Sequence, residues 1–258
     1  MRILISNDDG IHFPGIVALA KAMSKLGEVY IFAPDVERSA ASHALTLGMP
    51  LRAKEVPFEV PNCKAFAVSG TPVDCVMLGI DYLEPKKPDL VISGINKGPN
   101  MCCDIMYSGT VAAAYEGAYI QSLSLAISLN SYSADVDYTV AAEWALKCVK
   151  KLIEIKADKN YVYNVNVPCL PENEIKGMKI TRMGFVEYRG GFEKRIDTFG
   201  KPYYWVNGKP VVIDKDSDCD NNAVADGYVS LTPLTRDYTA YKLIDSLNAG
   251  FASIISGE

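Results

Sequence analysis

No apolar run in the chain approaches the roughly 18 residues a membrane span requires, and no signal-peptide pattern precedes its first strand-like segment. A soluble, cytoplasmic protein is the expectation. Clusters of Lys and Arg are also missing. With 26 basic against 31 acidic residues and a formal charge of −5, the chain lacks the phosphate-neutralising surface that a nucleic acid polymer would need. It has two histidines, and its seven cysteines show no paired CxxC spacing, Cys102 and Cys103 being the only neighbours. That argues against zinc held by His and Cys and favours reduced, buried thiols. Repeats and low-complexity tracts are absent. Of the 258 residues 49% are apolar, which supports a large core and excludes intrinsic disorder. A phosphate ligand, if there is one, requires a metal to bring the positive charge.

The hydrophobic pattern alternates between the strand and helix periods. Strands are expected at 2–6, 29–33, 64–68, 89–93, 123–129 and 161–167. Helices are expected at 14–26, 72–83, 108–121 and 137–155, the first opened by Pro14. Connections this long between strands predict an α/β domain over 1–258 with a Rossmann-like, mostly parallel sheet and helices on both faces. After Lys179 the composition shifts. Gly190-Gly191, Asn207-Gly208 and the aromatic run Tyr203-Tyr204-Trp205 mark 185–235 as a β-rich excursion with a C-terminal hairpin arm. Asn-Gly is its expected turn, and the arm is suited to oligomerisation or to packing on its own domain.

Ligands of open parallel sheets bind beyond the carboxyl ends of the strands, and four loops there carry chemistry. Asn7-Asp8-Asp9-Gly10 holds adjacent carboxylates, which repel unless protonated or neutralised by a cation such as Mg²⁺ or Mn²⁺. An Asx turn capping the next helix is the competing reading. The loop after the second strand, 34–43, offers the Ser39 and Ser42 hydroxyls to a metal shell or to a turn. Ser93-Gly94-Ile95-Asn96 presents a neutral oxygen on Asn96. Ser108-Gly109-Thr110 opens a helix whose free N–H groups attract an anion, although plain N-capping by Ser108 accounts for the same residues.

Taken in order, Ser6-Asn7-Asp8-Asp9-Gly10-Ile11, Ala33-Pro34-Asp35 with Arg38-Ser39, Gly70-Thr71-Pro72-Val73-Asp74-Cys75, Ser93-Gly94-Ile95-Asn96 and Tyr107-Ser108-Gly109-Thr110-Val111 resemble the SurE family of survival-protein nucleotidases. The resemblance extends through Gly200–Trp205 and Gly227–Leu234. It implies a phosphomonoesterase acting on nucleoside 5′- and 3′-monophosphates and, in some members, on short polyphosphate. It also implies one divalent metal, Mg²⁺ or Mn²⁺, held by Asp8, Asp9, Ser39 and Asn96, and a homodimer or homotetramer joined through the arm. Two departures stand out. Phe13 occupies a usually small position, where it narrows the pocket or offers a face to a base, and Met101-Cys102-Cys103 replaces a common Leu-Gly.

The expected chemistry is attack of a metal-activated water on the phosphorus, with Asp8, Asp9 and Asn96 as the catalytic set. Asn96, Ser108, Gly109 and Thr110 would bind the phosphate. His43, a loop histidine, is left outside this set. The alternative is a phosphoacceptor or nucleotide-binding signalling module without turnover. Against it, the strand at 89–93 leads to Asn96 rather than to an Asp. A covalent phosphoaspartyl enzyme would want its acids two residues apart, and a dinucleotide site would want GxGxxG at 7–10.

Overall fold

The computed structural model describes residues 1–133, 135–252 and 254. Its strands are β1 (Arg2–Ser6), β2 (Glu28–Pro34), β3 (Ala53–Val56), β4 (Cys63–Val68), β5 (Leu90–Lys97), β6 (Leu123–Asn130), β7 (Tyr161–Pro168), β8 (Met178–Ile180), β9 (Val186–Arg189), β10 (Phe192–Ile196), β11 (Pro202–Val206), β12 (Lys209–Val212) and β13 (Val229–Thr235). The helices are α1 (Pro14–Met23), α2 (Pro72–Tyr82), α3 (Gly109–Tyr119), α4 (Thr139–Glu154), α5 (Asp220–Ala225) and α6 (Tyr241–Gly250), and a 3₁₀ segment, Cys102–Tyr107, runs into α3. Among the described residues no helix is long and apolar enough to cross a membrane.

Nine strands form the central sheet in the order β3-β4-β2-β1-β5-β6-β7-β13-β8. From β4 to β7 all pairs are parallel; β3 and β13 run antiparallel to β4 and β7. Alternate side chains of the buried strands feed opposite layers, as the two-residue strand period dictates. Ile3, Ile5, Ile31, Ile92 and Ile127 join the residues of α1 and α4 in one core, whereas Leu4, Phe32 and Val91 pack with Val76 of α2 and Ala113 of α3 in another. Helices thus cover both faces, as the alternation predicts.

The chain enters the sheet at its middle. From β1 it moves through β2 to β4 and then crosses back to β5 on the other flank of β1. The connections therefore diverge between β1 and β5, and the carboxyl ends of these neighbours open a crevice at this switch point.

The excursion is organised differently from the expectation. β9 pairs with β12 and β10 with β11 in one unbroken register, from Val186 opposite Val212 to Ile196 opposite Pro202. This makes a single long hairpin that turns at 197–201. Asn207-Gly208 is not the turn: it lies opposite Gly190-Gly191, where the Asn207 N–H donates to the Gly191 carbonyl at 2.7 Å. Register along the whole ladder, rather than a favourable dipeptide, sets the reversal. β13 falls within 185–235 but belongs to the central sheet, so the arm itself spans 186–212.

Candidate active site

Four backbone and side-chain ties draw the four loops together. The Arg38 N–H donates to the Asp8 carbonyl at 2.7 Å, joining the second loop to the first. The Lys97 N–H donates to Asp9 Oδ2 at 2.9 Å, bringing in the third. Thr110 donates from Oγ1 to Asp8 Oδ1 at 2.7 Å and from its N–H to Asp8 Oδ2 at 3.3 Å, bringing in the fourth. Ser42 closes the ring, its N–H on the Tyr107 carbonyl at 3.0 Å and its hydroxyl on the Met106 carbonyl at 2.8 Å.

The turn at 7–10 is closed by Asn7, whose Oδ1 accepts the Gly10 N–H at 3.2 Å and whose Nδ2 donates to the Gly10 carbonyl at 3.0 Å. Phe13 is the N-cap of α1 and makes no side-chain cap bond. Asp8 and Asp9 are therefore not spent on capping, and the helix-cap reading of this pair falls away. Asp8 is buried and Asp9 half-buried. Burial pushes the Asp8 carboxyl up, against the lowering effect of the Thr110 bonds. Burial also pushes Asp9 up, to about 7; the Lys97 N–H opposes this and the neighbouring Asp8 charge adds to it. Two adjacent carboxyls held this way favour a bound cation over two bare charges.

Asn96 donates from Nδ2 to the Gly98 carbonyl at 2.8 Å and to the Lys97 carbonyl at 3.3 Å. These bonds fix the amide orientation and leave Oδ1 without a donor among the described residues. The loop behind it is rigidified by Asn100, whose N–H donates to Asn166 Oδ1 at 2.8 Å and whose Nδ2 donates to Ser128 Oγ at 2.8 Å. Immediately below, Ser6 and Ser93 are register partners of β1 and β5, and both hydroxyls are buried without a partner among the described residues. Two carboxyls, a free amide oxygen and a polar floor make an all-oxygen donor set, which suits a hard divalent ion. Among the described residues no three or more His, Cys, Asp or Glu side chains cluster to hold a metal.

Ser39 is exposed and donates to Glu37 Oε1 at 2.5 Å. Glu37 itself was not legible as a site residue, since an acid in a polar loop carries no distinguishing signal, yet its charge reaches both Asp8 and Asp9. In the fourth loop the capping reading is realised: Ser108 Oγ accepts the Val111 N–H at 3.0 Å. Thr110 turns to Asp8. Of the N–H groups in the first turn of α3, that of Gly109 has no acceptor among the described residues, so it is free to meet an anion. His43 pairs through Nε2 with Glu116 Oε1 on α3 at 2.6 Å. Phe13 packs on the core, with Tyr138 edge-on at 5.4 Å and the Lys97 ammonium 5.8 Å from its ring centre. Lys97 thus covers one face of the half-buried ring.

The sequence profile of the family described as "Survival protein SurE" matches residues 3–190. The chain is 43% identical over 248 residues to "5'-nucleotidase SurE" of Heliobacterium modesticaldum, covering 96% of this chain and 91% of that protein. To the protein of the same name from Synechococcus it is 47% identical over 250 residues, covering 96% of each. The crystal structure of the SurE protein from Aquifex aeolicus superposes with a TM-score of 0.85 at 40% identity, over 96% of this chain and 99% of that one.

Proposed function

The chain belongs to the SurE family, and on that premise we propose that it is a 5′-nucleotidase releasing phosphate from nucleoside monophosphates by metal-dependent attack of water. The observation that carries this reading is the convergence of Asp8, Asp9 and the free Asn96 oxygen at the sheet's switch point, beside the Gly109 N–H. Asp8, Asp9 and Asn96 would hold the ion, with the Ser39 hydroxyl, here donated to Glu37, as the fourth candidate ligand. A divalent ion there supplies the charge that polarises a phosphate oxygen and makes water nucleophilic near neutral pH. Gly109 presents its backbone N–H at the head of α3 to the phosphoryl oxygens, beside the capping residue Ser108. Thr110 holds Asp8 in place. Mg²⁺ and Mn²⁺ both suit this oxygen shell, and 3′-monophosphates present the same phosphoryl group. The arm joins chains into a dimer or tetramer.

The test is phosphate release from a panel of nucleoside monophosphates with Mg²⁺ or Mn²⁺, after chelation, and in Asp9→Asn. Losing a ligand worth several kcal/mol of charge stabilisation lowers the rate by more than about 100-fold. Metal-indifferent turnover, or full activity in Asp9→Asn, would overturn the mechanism. ³²P retained stably on the protein would point instead to the phosphoacceptor reading.

A further inference from the structure

Beside the Asn96 loop an aromatic ring is left uncovered. Gly98, whose carbonyl anchors the Asn96 amide, adopts φ +98°, and a Cβ built on it would come within 2.6 Å of Tyr132 Cε1. Only glycine permits both the backbone conformation and this approach. The Tyr132 ring therefore rests on bare backbone on one side, and the residue is still 77% exposed. One aromatic face is seated two residues from a candidate metal ligand; the other is open to solvent.

A second tyrosine is tied to the segment before α3. Tyr188, on strand β9 of the arm, donates its hydroxyl to Asp104 Oδ2 at 2.6 Å. Asp104 lies in the 3₁₀ segment that leads into Ser108 and Gly109. Burial and the Asp104 charge both push the Tyr132 phenol up. Tyr132 thus stands on the Asn96 loop, and Tyr188 is bonded to the segment that leads into the head of α3. Phe13, packed on the core beneath Lys97, is less exposed than Tyr132.

We infer that Tyr132 is the platform on which the base of the nucleotide stacks, with Tyr188 bounding the slot, and that purines bind better than pyrimidines there. The inference rests on the nucleotidase reading and deepens it. Every base presents a π face, and the larger rings of purines cover more of the tyrosine. Gly98 supports the ring from behind, and the Asn100 network fixes the loop that carries Gly98.

The test compares kcat/KM for AMP, GMP, CMP and UMP with that for ribose 5-phosphate, which has no base, in the wild-type chain, Tyr132→Ala and Tyr132→Phe. Removing a stacking side chain lowers the AMP to ribose 5-phosphate ratio about tenfold, the loss falls on KM, and it is greater for AMP and GMP than for CMP and UMP. Tyr132→Phe, which keeps the ring, restores the ratio. A purely structural role for Tyr132 would depress both substrates alike; an unchanged ratio in Tyr132→Ala therefore overturns the inference while leaving the nucleotidase reading intact. A wild-type chain that releases no phosphate from any nucleotide removes both.

Discussion

A carboxylate buried as deeply as that of Asp8 is costly unless something compensates its charge. Thr110 supplies a hydroxyl at 2.7 Å and an N–H at 3.3 Å, which orient both oxygens before any ion arrives. Supporting bonds of this kind typically tune metal affinity by about 10–100-fold. Thr110→Val is therefore expected to weaken Mn²⁺ binding by that order in a calorimetric titration of the whole chain, while Thr110→Ser holds it. Equal affinity in Thr110→Val would show that Asp8 is placed without the hydroxyl. The residue also shows the limit of reading a motif linearly. Ser108-Gly109-Thr110 suggests three groups for a phosphate, yet only the fold shows that the Thr110 hydroxyl and N–H face Asp8 and that the Ser108 hydroxyl caps α3.

Among the elements, α2 shows that a motif carrying the family resemblance can be architectural. Thr71 Oγ1 accepts the Asp74 N–H at 3.1 Å and Asp74 Oδ2 accepts the Thr71 N–H at 2.8 Å, a reciprocal capping box behind Pro72. Asp74 also receives the Thr46 hydroxyl at 2.6 Å and N–H at 3.1 Å, tying the loop after 43 to the helix start. Burial pushes the Asp74 carboxyl up, but the Thr46 and Thr71 bonds outweigh it and hold the group below its ordinary value. A carboxyl lowered in the folded state adds stability that is fully present above the unfolded value of about 3.9 and is lost as pH falls through the folded one. Asp74→Ala should thus cost about 1–2 kcal/mol at pH 7, and the gap from wild type should narrow in urea titrations as pH is lowered through the acid range. A pH-independent difference would assign the loss to packing instead. The arm teaches the opposite lesson: its glycine-rich dipeptides were legible, but only the pairing of β9 with β12 and β10 with β11 locates the turn.

On the scale of the whole molecule, a two-stranded hairpin is marginal in water by itself, yet this one exposes Phe192, Ile196, Phe199, Trp205 and Val206. Apolar surface of that extent is what the proposed association through the arm would bury. Sedimentation of the wild-type chain is expected to show two or four chain masses, and replacing 192–206 by a short Gly-Ser turn to reduce that number; a monomeric wild type would remove the arm's proposed purpose. The sequence by itself determined the alternation of strands and helices, because a period of two and a period near 3.6 are written locally in the spacing of apolar residues. It also determined the chemistry available at Asp8, Asp9 and Asn96, because side-chain functional groups do not depend on the fold. Only the tertiary structure decided that β1 lies between β2 and β5, since strand order follows from packing between residues far apart in the chain. That neighbour choice puts Asp9 against Lys97 and Asp8 against Thr110, and seats Tyr132 on Gly98. Local pattern carries no record of such meetings, because each depends on two loops whose separation along the chain is unrelated to their distance in space.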